Sequence, residues 1–355
     1  MYKPASYKIP ALRMRPSFHP RLINGPFDDP GIFIPFLFEK RALIFDLGDI
    51  YSLSTRDILK ISHIFVTHTH MDHFVGFDRV LRLFLGREKN LYLYGPEGFM
   101  KNVEGKLDSY SWNLVGNFSN SFSLNVTEVH PEHLISKQYL CQNRFIPIQE
   151  DIKEHFNSVL LKEPALSVSA VILDHSIPCL GFSIEERFHV NIIKDKVIAL
   201  GLEIGPWLKE FKQALFNHQD PESEFVVRYG RNNKEKKFIL GNLSKQIALI
   251  TPGQKITYIA DVVYSKSNKE KIIGLAKNSD HLFIEAAFLE NDRDIAEKKY
   301  HLTAHQAGKL AGKANIKQYT LFHFSPRYTG KEYLLIEEAR TAFEKYTSDI
   351  SCRKV

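Results

Sequence analysis

The sequence predicts a mixed α/β (α+β) chain, on three observations. Short β-branched or aromatic runs recur along it, at residues 42–45, 64–67, 167–173, 256–260 and 318–322, and each meets a His or Asp at or just beyond its end. Between the runs, Phe77, Val80, Leu81 and Phe84 fall on one helical face, and so do Ala307, Leu310, Ala311 and Ala314. A chain of 355 residues with 44% hydrophobic content can bury either two domains or one large domain with insertions.

Taken from the start, the first twenty residues are interrupted by Pro4, Pro10, Pro16 and Pro20 and have no signal-peptide core. The apolar stretch 32–47 is broken by Glu39-Lys40-Arg41, too short and too charged to span a bilayer. Cys141, Cys179 and Cys352 form neither a C-x-x-C pair nor a disulfide framework, so a reducing cytoplasm and no membrane are expected. A net charge of +6 permits an acidic partner such as RNA without requiring one.

The densest chemistry is His68-Thr69-His70-Met71-Asp72-His73, directly after the apolar run 64–67. His68 and His70, two apart in extended chain, point the same way and can grip one ion. Asp72 and His73 fall on the next turn and can face a second. Surface histidines rarely crowd four ligand-type residues into six, so two metals are expected here. His63, five residues before the cluster, is set aside.

Further ligand candidates stand at other strand ends. His175 sits on the turn between runs 167–173 and 178–184, and Asp261 caps run 256–260, where a carboxylate with two free oxygens can bridge two ions. Asp46 and Asp174 suit supporting or capping roles. Residues 185–250 read as an insertion. Within it Trp207, Leu208, Phe211 and Leu215 mark a helix face that either packs internally or meets a second subunit, which leaves a homodimer open. Arg228, Arg231, Lys234, Lys236 and Lys237 flank a turn at Gly230 to Asn233, a solvated hairpin tip or a phosphate contact. Thr303 to Gln306 form a capping box just after His301, and the run ending at His323 is followed by Ser325 and Arg327, suited to phosphate. His130, His133, His155, His189, His281 and His305 end no strand and are not expected to be ligands.

The hexapeptide resembles the signature of the metallo-β-lactamase fold, whose members bind one or two metals on that loop. Two further blocks narrow the resemblance to the ribonuclease Z family, the tRNA 3′-processing endonucleases. They are Asp174-His175-Ser176-Ile177-Pro178-Cys179-Leu180-Gly181-Phe182 and the region from Tyr300 to Tyr328 with His323-Phe324-Ser325-Pro326-Arg327-Tyr328. The chain departs from the family at Asn24-Gly25-Pro26-Phe27, where a Gly-Thr-Gly turn is usual, and at Ile284-Glu285-Ala286-Ala287, where His-Glu-Ala-Thr is usual. Between Ile184 and Ala199 there is too little chain for the long tRNA-gripping arm of many members.

The resemblance implies one four-layer αββα sandwich, two mixed β-sheets flanked by helices, across residues 1–355, with a reduced exosite-like insertion at about 185–250. It assigns His68, His70, His175 and Asp261 to one zinc, and Asp72, His73, His323 and the same Asp261 to the other; Mn²⁺ or Fe²⁺ would also suit these donors. It implies a zinc-dependent phosphodiesterase that cuts tRNA precursors with a metal-activated hydroxide. Asp72 would take the proton of the attacking water and His301 would serve the leaving oxygen. Glu285 would support a histidine, and Ser325 with Arg327 would hold substrate phosphate. The competing expectation is a hydrolase of a small phosphodiester, cyclic nucleotide or other ester on the same framework.

Overall fold

Alternation along the strands decides the architecture: Ile44 and Ile64 face one way, while Phe45 and Phe65 face the other, and all four are fully buried. A sheet buried on both faces needs a layer on each side. The computed structural model describes residues 17–37, 39–148, 152–230 and 234–352. Most of the N-terminal segment read above, the turn residues Arg231, Asn232 and Asn233, and the Cys352 side chain lie outside the described residues.

The described residues divide into two compact units, one comprising Phe18–Glu186 with the chain from Gln254 onward and the other built on Arg187–Gly253. The first sheet of the larger unit runs in chain order through β1 (Arg21–Leu22), β2 (Ile32–Pro35), β3 (Ala42–Phe45), β4 (Ile61–Phe65), β5 (Lys89–Pro96), β6 (Phe122–Val129), β7 (His133–Leu140) and β8 (Ile152–His155). Strands β3 to β6 are parallel. Their connections carry α1 (Thr55–Ile58), α2 (Met71–Phe74), α3 (Phe77–Phe84) and α4 (Phe99–Asp108). The second sheet begins with β9 (Val159–Lys162), β10 (Leu166–Asp174) and β11 (Pro178–Glu186).

The smaller unit follows. It pairs β12 (Phe188–Ile192) with β15 (Ala248–Pro252) and β13 (Glu224–Tyr229) with β14 (Lys234–Ile239). Its helices are α5 (Lys194–Ala199), α6 (Trp207–Phe216) and α7 (Leu240–Ile247). Trp207 and Phe211 are buried with Val197, Val227 and Leu243 in a core of its own, and Leu208 and Leu215 pack against it. Most of the apolar face of α6 is therefore packed inside its own unit.

Back in the larger unit, β16 (Lys255–Ile259), β17 (His281–Glu285) and β18 (Gln318–Phe322) complete the second sheet, in the order β18-β17-β16-β11-β10-β9. Helix α8 (Lys266–Ala276) connects β16 to β17; α9 (Arg293–Lys298) and α10 (Ala304–Lys313) connect β17 to β18; α11 (Glu332–Cys352) closes the chain. Phe45, Phe65, Phe182, Tyr258 and Phe322 fill the space between the sheets. Phe77, Val80, Phe84 and Phe99 cover the outer face of the first sheet, and Ile272, Leu310 and Ala311 that of the second. The result is the αββα sandwich, with the predicted helix faces buried as read.

Two local differences have plain causes. The strand read at 64–67 starts at Ile61, because the His63 ring stacks on Tyr92 at 4.8 Å and a polar residue is thereby accommodated within the sheet. Asp72 and His73 stand on the one-turn helix α2 instead of a simple turn, with His70 as its N-cap.

Candidate metal centre

The polar residues of the metal loop begin where β4 ends. Thr67 donates its backbone N–H to Asp46 Oδ1 (2.7 Å) and its hydroxyl to Oδ2 (2.9 Å). Asp46 Oδ2 also accepts from His73 Nδ1 and from the Tyr258 hydroxyl, both at 2.9 Å. A fully buried carboxylate thus satisfies four donors, and His73 is turned so that Nε2 faces inward. Gly48 makes the fit possible. A Cβ there would sit 2.5 Å from the Asp72 carbonyl, and one on Gly76 would sit 2.4 Å from the Gly48 carbonyl.

The other donors arrive on equally fixed backbone. His175 lies on the β10–β11 turn, where Asn268 accepts from the Asp174 N–H and donates to the Asp174 and Val263 carbonyls. His175 Nδ1 donates to the Tyr300 carbonyl at 2.9 Å, which leaves Nε2 free. Asp261 follows β16. His323 follows β18 with φ at +59°, a left-handed conformation costly for a histidine, and Asp46, Ser176 and Tyr300 share that region. Such strain clustered around one site is held only where the surroundings over-determine it.

Asp261 is the hub. Its Oδ2 lies 3.8 Å from His68 Nε2, 3.4 Å from His73 Nε2 and 3.6 Å from His175 Nε2, while Oδ1 lies 3.1 Å from His323 Nδ1. Donor atoms of His68, His70, His175 and Asp261 fall within 4.8 Å of one another, and so do those of Asp72, His73, Asp261 and His323. Asp261, Glu285, His301 and His323 form a third such group, which the sequence did not suggest.

The donors fit divalent cations. His73 Nε2, His323 Nδ1 and Asp261 Oδ1 are buried without a hydrogen-bond partner, although each points into the cluster, an arrangement that a bound cation would satisfy. Charge says the same. Burial pushes His68 down to about 2, helped by the neighbouring His73, so its lone pair is available. Burial opposes the charged form of Asp261 too, but the His323 and His73 imidazoles overcome it and hold the carboxyl well below the usual range. Burial also works against charge on Asp72, and its bond with His323 still lowers it to about 2. With the Asp261 and Asp72 carboxyls both held in their charged form, this is a buried place for positive charge.

His301 stands beside this cluster. Its Nδ1 donates to Glu285 Oε2 at 3.0 Å, and Glu285 Oε1 accepts the Val262 N–H at 2.8 Å. Burial disfavours the imidazolium, but the Glu285 carboxylate more than compensates and raises His301 to about 9. A cavity of about 200 Å³ opens against Asp72, His301, His323 and Ser325, with Phe27 and Lys299 in its wall. Arg327 is not in that wall. Its guanidinium instead pairs with Asp292 at 3.4 Å. Lys299 escaped the sequence reading because a lysine two residues before a histidine carries no signal, and Tyr258 because nothing in a strand marks a ring that will reach a carboxylate 212 residues away.

A two-sheet sandwich with two such donor sets sharing one aspartate defines a protein of the metallo-β-lactamase fold with a candidate divalent-metal centre. Among solved structures, the metallo-β-lactamase fold protein YhfI from Bacillus subtilis superimposes with a TM-score of 0.52 at 14% identity, covering 92% of this chain and 94% of that one. No family model matches. Ribonuclease Z of Enterococcus faecalis is 30% identical over 323 residues, 88% of this chain and 87% of the relative. Ribonuclease Z of Anoxybacillus flavithermus is 30% identical over 318 residues, 86% and 85%. The chain belongs to the ribonuclease Z family.

Proposed function

We propose that the protein is a metal-dependent phosphodiesterase, an endoribonuclease that cuts tRNA precursors, with zinc as its metal. The observation that carries this is the cavity in which Asp72, His301 and His323 meet, beside the two donor sets joined at Asp261. The names of the family relatives, ribonuclease Z, support the substrate class. In this reading His68, His70, His175 and Asp261 hold one ion, and Asp72, His73, His323 and Asp261 the other.

Two bound Zn²⁺ ions would acidify a water and offset charge building on a phosphoryl group. Asp72, its carboxylate 39% exposed toward the cavity, takes the proton of the attacking water. His301, held by Glu285 and charged at neutral pH, gives a proton to the leaving oxygen from Nε2. Lys299 and Ser325 face the phosphate, and Phe27 and Phe288 form the apolar wall against the base. The buried free thiols Cys141 and Cys179 suit work in a reducing cytoplasm. The insertion at 187–253 is read as a reduced exosite on the same chain.

The test is cleavage of a tRNA precursor with a 3′ trailer by zinc-loaded protein, beside a chromogenic phosphodiester, with Asp72→Ala as control. A cut at the trailer junction that disappears in Asp72→Ala supports the reading. Hydrolysis of the small diester alone retires the tRNA substrate and leaves a small-diester hydrolase.

A further inference from the structure

Away from the metal centre, three lysines converge on one ring. Lys309 and Lys313 on α10 and Lys345 on α11 place their ammonium groups 5.0, 5.8 and 5.7 Å from the Tyr346 ring centroid. On α8, Lys269 lies 4.7 Å from the Tyr264 ring centroid, and Lys309 interacts with both phenols. The His305 ring is 6.4 Å from Tyr346. Lys313 and Lys345 are exposed, and Lys269, Lys309 and both tyrosines are half-buried.

Elsewhere in the larger unit Lys60, Lys106, Lys137 and Lys317 sit against Asp57, Asp78, Glu104 and Asp280, and Lys89, Lys255 and Lys271 donate to backbone carbonyls, so each ammonium answers to its own oxygen instead of gathering on a shared ring. Lys269, Lys309 and Lys313 form no salt bridge among the described residues. The negative faces of two rings stabilise individual ammonium groups but do not neutralise several that repel one another. An anion seated among them does.

The layout favours a long anion over a single phosphate. Lys309 and Lys313 are one helical turn apart, about 6 Å along the axis, so the charges form a row and not a cup. The row lies on a helix whose N-cap, Thr303, is two residues past His301. Lys309 stands about 7.5 Å and Lys313 about 13.5 Å along that helix from Ala304. Alternating ammonium groups and aromatic faces suit a ribose-phosphate strand, the phosphates meeting charge and the bases finding rings.

We infer that the α8–α10–α11 face is a second RNA contact, in which Lys269, Lys309, Lys313 and Lys345 around Tyr264 and Tyr346 hold the substrate's backbone while the metal centre cuts it. This rests on the reading of the protein as an RNA-cutting enzyme.

The test compares Lys309→Ala/Lys313→Ala/Lys345→Ala with the corresponding triple Arg variant. Binding of a precursor-tRNA transcript is followed by fluorescence anisotropy across a salt series, in an Asp72→Ala background that prevents cutting. The alanine variant is expected to bind about tenfold more weakly at 0.1 M salt, and its slope of log affinity against log salt should be shallower by about two to three. The arginine variant should restore both. With Asp72 intact, the alanine variant should raise KM for the precursor and leave kcat/KM for bis(p-nitrophenyl) phosphate unchanged. Unaltered affinity and salt slope overturn the inference, and so does an equal loss on the small diester. Lysine-dependent binding by a protein that cuts no precursor keeps the patch and retires the cleavage reading. Cleavage with lysine-independent binding does the reverse.

Discussion

The metal loop and the β13–β14 hairpin are both short, polar and conspicuous in the sequence, yet they use their charges in opposite ways. Around the loop the supporting carboxylates are fully buried and each is fixed by its contacts: Asp46 answers four donors and Glu285 bridges His301 and the Val262 N–H. At the hairpin, Arg228 pairs with Glu235 at 2.8 Å and Lys237 with Glu224 at 3.0 Å, with all four side chains more than half exposed. Charge in a dry, over-determined place does chemistry. Charge that is cancelled across a wet hairpin mainly keeps the surface soluble.

Breaking the hub tests the first half of that contrast with the largest effect. Asp261→Ala removes the carboxylate common to both donor sets, and zinc content by elemental analysis should fall to background together with phosphodiesterase activity. Retention of two equivalents of metal would sink the shared-ligand assignment. His301→Ala comes next. A drop in kcat of about 10²- to 10⁴-fold is expected with metal content near wild type, as for a lost general acid. Loss of metal in that variant would instead promote His301 to the third donor group.

Asp46→Ala keeps every proposed ligand and strips His73, Thr67 and Tyr258 of their acceptor. Zinc affinity, measured by competition with a chelator, should weaken about 10- to 100-fold. An unchanged affinity would mean that packing alone orients His73. Acid sharpens the picture from another buried group. Burial, with Arg41 and Lys89 nearby, lowers His63 to about 3, so the unfolded chain takes the proton more readily. Stability should therefore fall as pH drops below 6.5, approaching about 1.4 kcal/mol per pH unit from this residue. The difference between wild-type and His63→Phe denaturation curves between pH 7 and 4 measures that share, and parallel curves would remove it. The smallest effect belongs to the hairpin. Arg228→Ala should shift stability by less than about 1 kcal/mol, with a smaller shift at high salt.

Much of the framework was legible because its signals are local. A strand that ends in a histidine or aspartate marks a candidate for the site, and Thr303 with Gln306 announces a helix start that the structure shows as a closed capping box. What holds those groups was not legible. Asn268 clamps the His175 turn from 94 residues away, and nothing in its helical surroundings distinguishes it from a solvated asparagine. Tyr258 alternates correctly for a strand and hides its reach to Asp46. Arg327 looked like a phosphate contact beside His323, but its neighbour in space is Asp292, which sequence proximity could not reveal. These polar partners come from the opposite sheet or from helices and turns far along the chain, so periodicity within one strand carries no trace of them.

One main-chain bond reaches further than its size suggests. The Leu180 N–H, on β11, donates to the Thr67 carbonyl at 2.9 Å, stitching the second sheet to the end of β4 beside the metal loop. The sandwich cannot splay at this edge without releasing that amide. Its deuterium exchange is therefore a clock for the integrity of the centre, since any opening that frees Leu180 also unseats the backbone from which His68 projects.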